Sequence, residues 1–162
     1  MNEVDLTQPS ERELLQLHSA IINELKRRGV VRTKNNPVGD YTEWLVAKAL
    51  NLELAGNSAA GYDGIDSVGT RFQIKGRRTT PDNPSRQLSA IRNLDAKEFD
   101  YLAAVVFDQH YDIMDAVLVP HEVVTEYATY RKHVNAHILH LRGDILGDAR
   151  VKTIDALKTT SE

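Results

Sequence analysis

The stretch Gly61-Tyr-Asp-Gly-Ile-Asp-Ser-Val-Gly-Thr-Arg-Phe-Gln-Ile-Lys75, continued by Gly76-Arg77-Arg78, decides how this chain is read. It has the form of a β-hairpin, with a turn at Asp66-Ser-Val-Gly69 between two strand-forming arms. Side chains alternate along a strand, so Gln73 and Lys75 point to the same face. The turn suits a type I bend closed by a left-handed glycine, with Asp66 capping it through its own carboxylate. That three-residue loop pairs Asp66 with Thr70, and hence Asp63 with Gln73, which brings Asp63 to the face of Gln73 and Lys75. A two-residue loop would shift the pairing by one and turn Asp63 away, leaving Asp66 as the alternative carboxylate. A carboxylate, an amide oxygen and an amine side by side can hold a hard divalent cation against a phosphodiester.

Upstream, Ser10-Glu-Arg-Glu13 is a capping box, and Leu14, Leu17, Ile21, Ile22 and Leu25 fall on one face of the helix it starts. Gly29 stops that helix. A basic-polar linker, Arg32-Thr-Lys-Asn-Asn36, leads to Pro37, which suits the first helical position with Asn36 as cap. A second helix is expected over 37–51, burying Val38, Tyr41, Leu45 and Ala49. Glu43 lies between Tyr41 and Leu45, with Ala47 one turn on. Periodicity alone reads it as a solvated glutamate, whereas a carboxylate tucked beside small side chains would complete the hairpin cluster. Leu52-Glu-Leu-Ala55 reads as a short strand. Gly56-Asn-Ser-Ala-Ala-Gly61 reads as a loop that lets backbone approach closely.

Downstream, 79–85 is turn-rich and 85–99 is expected to be helical in part. Tyr101-Leu-Ala-Ala-Val-Val-Phe107 has no polar alternation, the pattern of a central strand buried on both faces. A turn at Asp108-Gln-His-Tyr-Asp112 leads to a second strand, Ile113-Met-Asp-Ala-Val-Leu-Val119. Pro120 is expected to open a helix reaching about residue 132, and 153–158 is expected to be helical. This order describes one α/β domain over residues 1–162, with a mixed central sheet flanked by helices.

A chain of 162 residues fills one core, and 41% apolar with 27% charged residues is ordinary for a soluble protein. No apolar run approaches the ~20 residues of a membrane span, and Met-Asn-Glu-Val-Asp is no secretory signal. With no cysteine there are no disulfides or thiolate metal sites, so a cytoplasmic protein without membrane association is expected. There is no Walker loop, dinucleotide fingerprint or serine-nucleophile elbow, so no organic cofactor is expected. The net charge of −3 conceals an asymmetry. From Arg71 to Lys97, seven cations stand against two anions, so this segment is +5 and the remainder −8. A stripe of that kind on one face is a footprint for a polyanion; the plain alternative is a solvated arginine-rich loop. Arg77, Arg78, Arg86 and Arg92 are the candidates for nucleic-acid contact, on chemistry alone.

His133 and His137 have the i, i+4 spacing of a helical zinc pair, with His140 nearby. No carboxylate sits between them as in zinc proteases, and His137-Ile-Leu-His-Leu141 reads equally well as a strand. They are read as surface or groove-lining histidines.

Asp63, then Gln73-Ile-Lys75 on the next strand, with Glu43 on an upstream helix, resemble the PD-(D/E)xK restriction-endonuclease-like nuclease superfamily. The resemblance covers about 37–119, where the order helix, three-stranded meander, helix, strand is similar to that family's core. It implies a restriction-endonuclease-like fold and a metal-dependent DNA endonuclease using Mg2+, with Mn2+ as a substitute. It also implies that Asp63 and Gln73 are metal ligands, that Glu43 is the helix carboxylate some members add, and that Lys75 is the catalytic lysine. Cutting both strands of DNA needs two such sites, so a homodimer is expected. The chain departs from the pattern in having Gln73 where an acidic residue is usual, and in lacking a proline before Asp63. The neutral amide bears first on metal affinity. It leaves open a second reading, a nucleic-acid-binding module or nuclease partner of the same fold without turnover. A third reading, an interaction protein with no nucleic-acid role, would follow from a basic stripe scattered over the surface.

Overall fold

Ser10 opens α1 (Glu11–Arg27) in the computed structural model, which describes residues 4–56 and 61–160. The expected capping box is formed, with Ser10 N donating to the Glu13 carboxylate at 2.8 Å, and Gly29 (φ +72) follows the helix. Pro37 precedes α2 (Val38–Leu50), and the Asn36 side chain accepts from Val38 N at 3.1 Å. Asn51 ends α2 in the left-handed conformation, φ 53. The deepest residues of α2 are Thr42 and Val46, while Tyr41, Leu45 and Ala49 pack partly buried beside them. The expected stripe is therefore displaced by one position, and the strand beneath supplies the reason.

After α2 come β1 (Glu53–Leu54), β2 (Gly64–Ile65), β3 (Arg71–Arg78), β4 (Tyr101–Phe107) and β5 (Ile113–Pro120). Then follow α3 (His121–Tyr127), β6 (Thr129–Arg131), β7 (Ala136–Ile138), α4 (Asp144–Gly147) and β8 (Lys152–Thr153). Among the described residues there are four helices and a six-stranded mixed sheet in the order β1-β2-β3-β4-β5-β8, with β6 and β7 pairing apart from it. Only β3 and β4 of the six run parallel. As its unbroken apolar run predicts, β4 is buried from Leu102 to Phe107. Leu102, Ala104 and Val106 join one core with Leu88, Ile91, Val123, Val124, Leu139 and Leu141. Ala103, Val105 and Phe107 join the other, with Val46, Phe72 and Ile74.

The contact between α2 and β3 is very close. A Cβ added at Gly76 would lie 1.9 Å from Thr42 Oγ1 and 2.9 Å from Thr42 Cβ, so the helix rests on bare strand backbone. The buried Thr42 hydroxyl is satisfied within its helix, donating to Val38 O at 2.6 Å.

Three expectations are corrected. The crossing from β3 to β4 is irregular except for a short 3-10 turn at Leu94–Ala96, because its backbone pairs elsewhere. Leu88 N donates to Leu139 O, and Ile91 exchanges hydrogen bonds with His137. The helix after Pro120 stops at Tyr127, where Ala128 turns extended and Thr129-Tyr-Arg131 pairs with β7 across a left-handed Asn135. A further strand, β8, lies against Val117 and Leu118. The expected helix at 153–158 is a 3-10 turn over Asp155–Thr160. Residues 57–60 of the small-polar loop lie outside the described residues. No described helix is long and apolar enough to cross a membrane.

Gly76→Ala is expected to destabilise the protein by about 1–3 kcal/mol in urea denaturation, since the new methyl overpacks a closed contact. Adding Thr42→Ala should recover part of the loss, the obstructing hydroxyl being the nearer atom.

Candidate functional site

The hairpin turn has the three-residue form expected of it. Asp66 N donates to Thr70 O at 3.1 Å, Gly69 N to Asp66 O at 3.2 Å, and Gly69 takes φ +88. Asp66 Oδ1 accepts from Thr70 N at 2.8 Å and Val68 N at 3.0 Å. The Thr70 amide chiefly holds the Asp66 carboxyl below its ordinary pKa, against a smaller opposing push from burial. Asp66 is thus engaged in the turn. The pairing of Ile65 with Arg71 and Gly64 with Phe72 extends to bring Asp63 opposite Gln73.

Asp63 is clamped through one oxygen. Its Oδ2 accepts from Gln73 Nε2 at 2.5 Å and from the backbone N–H of Ile74 at 2.7 Å. Its main chain is fixed too, with Asp63 N donating to Phe72 O and Ala55 N donating to Asp63 O. Among the described residues no donor reaches Asp63 Oδ1, and Gln73 Oε1 is likewise uncommitted. Lys75, two residues beyond Gln73 and on the same face, is half-buried. Burial pushes its ammonium pKa down, while Asp63 and Glu43 pull it back up.

Glu43 is drawn in from α2, with its side chain only 17% exposed. Burial raises its carboxyl pKa and the nearby Asp63 charge adds to that, against the lowering effect of Arg32. Arg32 is the residue that sequence reading passed over as linker. Its guanidinium pairs with Glu43 and also donates to Ala55 O at 3.3 Å. The linker is folded back for this by Asp40, whose Oδ2 accepts from Arg32 N at 2.9 Å and from Thr33 N at 2.8 Å. Asp40, eight residues downstream, was the only signal available, and a spacing of eight carries none of its own. Four groups from three chain segments are therefore gathered here: Glu43, Asp63, Gln73 and Lys75. Two carboxylates and an amide oxygen are hard donors of the kind Mg2+ takes.

The arginines are largely engaged within the fold. Arg77 and Arg78 leave β3 on opposite faces, so the expected single-faced stripe is divided at this point. Arg77 Nε donates to Ser85 O at 2.8 Å and its Nη2 to Asn83 Oδ1 at 3.0 Å. Arg78 donates to Gln109 O at 2.6 Å and lies over the Tyr111 ring, 4.8 Å from its centre. Both still line a cleft of about 440 Å3 at the start of α2. Arg86 pairs with Asp115 at 2.5 Å, and Arg71 with Asp100 at 3.2 Å. Arg92 is exposed, with no ion pair among the described residues.

The histidine spacing dissolves on folding. His133 sits in a 3-10 turn, His137 in β7, and His140 bridges to Gln87. Among the described residues no group of three or more His, Asp or Glu side chains is placed to hold a metal ion. No protein-family model matches the chain, and no curated protein matches it in sequence.

Asp40→Ala removes three hydrogen bonds to the turn that presents Arg32, the Thr33 hydroxyl making the third, and is expected to cost about 1–3 kcal/mol at neutral pH. Burial raises the Asp40 carboxyl pKa, but donation from Thr33 and Arg32 outweighs it, so the folded value lies below the ordinary one. The contribution is then present above the ordinary carboxylate range and lost as pH falls through the lower folded value. Urea denaturation of both proteins across the acid range should show the gap closing in that direction.

Proposed function

We propose that this protein is a metal-dependent DNA endonuclease with a restriction-endonuclease-like core, hydrolysing phosphodiester bonds at the Glu43–Asp63–Gln73–Lys75 cluster. The observation that carries this reading is the clamped Asp63, oriented by Gln73 and the Ile74 amide beside a half-buried Lys75. An ordinary surface ion pair has no use for such support. A divalent cation held by Asp63, the Gln73 amide oxygen and Glu43 would neutralise charge on the scissile phosphate and promote ionisation of water.

The chain's own groups supply the remainder. Gln73 Nε2 and Ile74 N–H fix one Asp63 oxygen and leave the other available, so that it could ligate a cation. Lys75 holds the attacking water or a non-bridging phosphate oxygen and offsets charge as it develops there. Burial lowers its pKa, against the opposing pull of Asp63 and Glu43. Arg32 opposes the upward push of burial on the Glu43 carboxyl by supplying a local positive charge. Arg92 and Lys97 are exposed cations of the basic segment, without an ion pair among the described residues, that could meet the DNA backbone without giving up an internal partner.

A second reading, binding without turnover, is favoured by one feature. The Gln73 amide and the Ile74 N–H hold Asp63 Oδ2 without any cation. The two readings part in calorimetric titration with Mn2+, which the binder would not take up.

Plasmid DNA incubated with the protein and Mg2+ or Mn2+ should be nicked or cut. Asp63→Ala and Lys75→Ala should each lower the rate by about 100-fold or more. Cleavage that survives both substitutions would falsify the assignment. Gln73→Glu should tighten Mn2+ binding by adding an anionic ligand.

A further inference from the structure

α1 stands largely clear of the rest of the protein. Of its 17 residues only Ile22 is buried, while Leu15, Leu17 and Ile21 are 71%, 38% and 50% exposed. It meets the body only near its C-terminal end, where Ile21, Ile22 and Leu25 border an apolar cleft of about 750 Å3 shared with Val31 and Tyr41. A helix of this length draws most of its stability from packing an apolar stripe rather than from intrinsic propensity. The stripe here is Leu14, Leu17, Ile21 and Leu25, at helical spacings of three and four residues; Leu14, Leu17 and Ile21 keep the spacing of a coiled-coil seam and Leu25 flanks it. Its first half faces solvent.

We propose that α1 pairs antiparallel with α1 of a second copy of this chain, about a two-fold axis near Ser19 and Ala20. In that register Leu17 of each copy meets Ile21 of the other. Ala20, small and at the flank of the seam beside the axis, leaves room for the second helix. Glu13 and Arg27 are two heptads apart on one flank of the seam, so each lies across from its opposite in the second copy. The ends match in the same sense, with Glu11 and Glu13 in the first turn and Lys26 and Arg27 in the last. A parallel pair would instead set like charges together. The seam from Leu14 to Leu25 is about 17 Å long at about 1.5 Å per residue, and the cleft at its base continues the apolar surface. The pairing goes beyond the phosphodiester reading and does not depend on it.

Sedimentation velocity on the full chain tests the pairing. The wild type should be a dimer that dissociates on dilution, and Leu17→Glu or Ile21→Glu should render it monomeric. Arg27→Glu and Glu13→Lys should each weaken self-association by at least about tenfold, since like charges then face each other at two symmetric places. An equimolar mixture of the Arg27→Glu chain and the Glu13→Lys chain should regain dimers, because every cross-seam pair is again opposite in sign. Glu13 also caps α1, so far-UV circular dichroism accompanies each variant, and Arg27→Glu carries the test alone if Glu13→Lys melts the helix. A wild type that stays monomeric at high concentration overturns the proposal, as does a dimer indifferent to Arg27→Glu.

Discussion

Residue 76 of β3 has no room for a side chain, and the placement of the site follows from that constraint. Thr42 rests against the strand backbone, which fixes both the height and the rotation of α2. With Thr42 and Val46 turned inward, Tyr41 and Leu45 become the flanks rather than the centre of the buried face. Glu43, next to Thr42, is carried to the side on which Arg32 reaches over from the linker and Ala55 joins Asp63. A wider separation between helix and strand would leave Glu43 solvated and Arg32 without its partner. The position of a carboxylate on one element is thereby set by the absence of a side chain on another.

Within the site, burial acts on groups of both signs at once. It raises the Glu43 carboxyl and lowers the Lys75 amine, and the charges of the cluster only partly compensate. Asp63 sits between them, its Oδ2 held by Gln73 Nε2 and the Ile74 amide. This gives Gln73 a rationale independent of any resemblance. A glutamate there would set a second negative charge against Asp63 and remove the side-chain donor that orients it. The amide does the reverse, at the expense of one anionic ligand.

The sequence was most legible where local chemistry dictates geometry. Asp66 and Gly69 determine a turn, the turn determines register, and register determines that Asp63 rather than Asp66 meets Gln73. The unbroken apolar run of β4 declared a strand covered on both sides. The readings that failed all depended on distant partners. The segment before β4 has its backbone taken up by Leu139 and His137 instead of by itself. The chain after α3 turns back as a hairpin because Asn135 accepts a left-handed bend. Arg32, Arg77 and Arg86 read as free cations in a linear string, yet each meets a carboxylate or carbonyl that only the folded chain brings near.

The one parallel pair in the main sheet has a consequence for the order of assembly. β4 and β5 are joined by a short turn and can pair early, as local contacts do. β3 reaches β4 only after a crossing of more than twenty residues has closed without a helix to preorganise it. Gln73 and Lys75 ride on the late-joining strand, and Glu43 finds its place only once α2 has settled on that strand. The site therefore has only a partial local precursor: the hairpin alone can set Asp63 against Gln73, while Glu43 and the burial of Lys75 come with the later packing, and a chain that stalls before that step holds the clamp without the cluster.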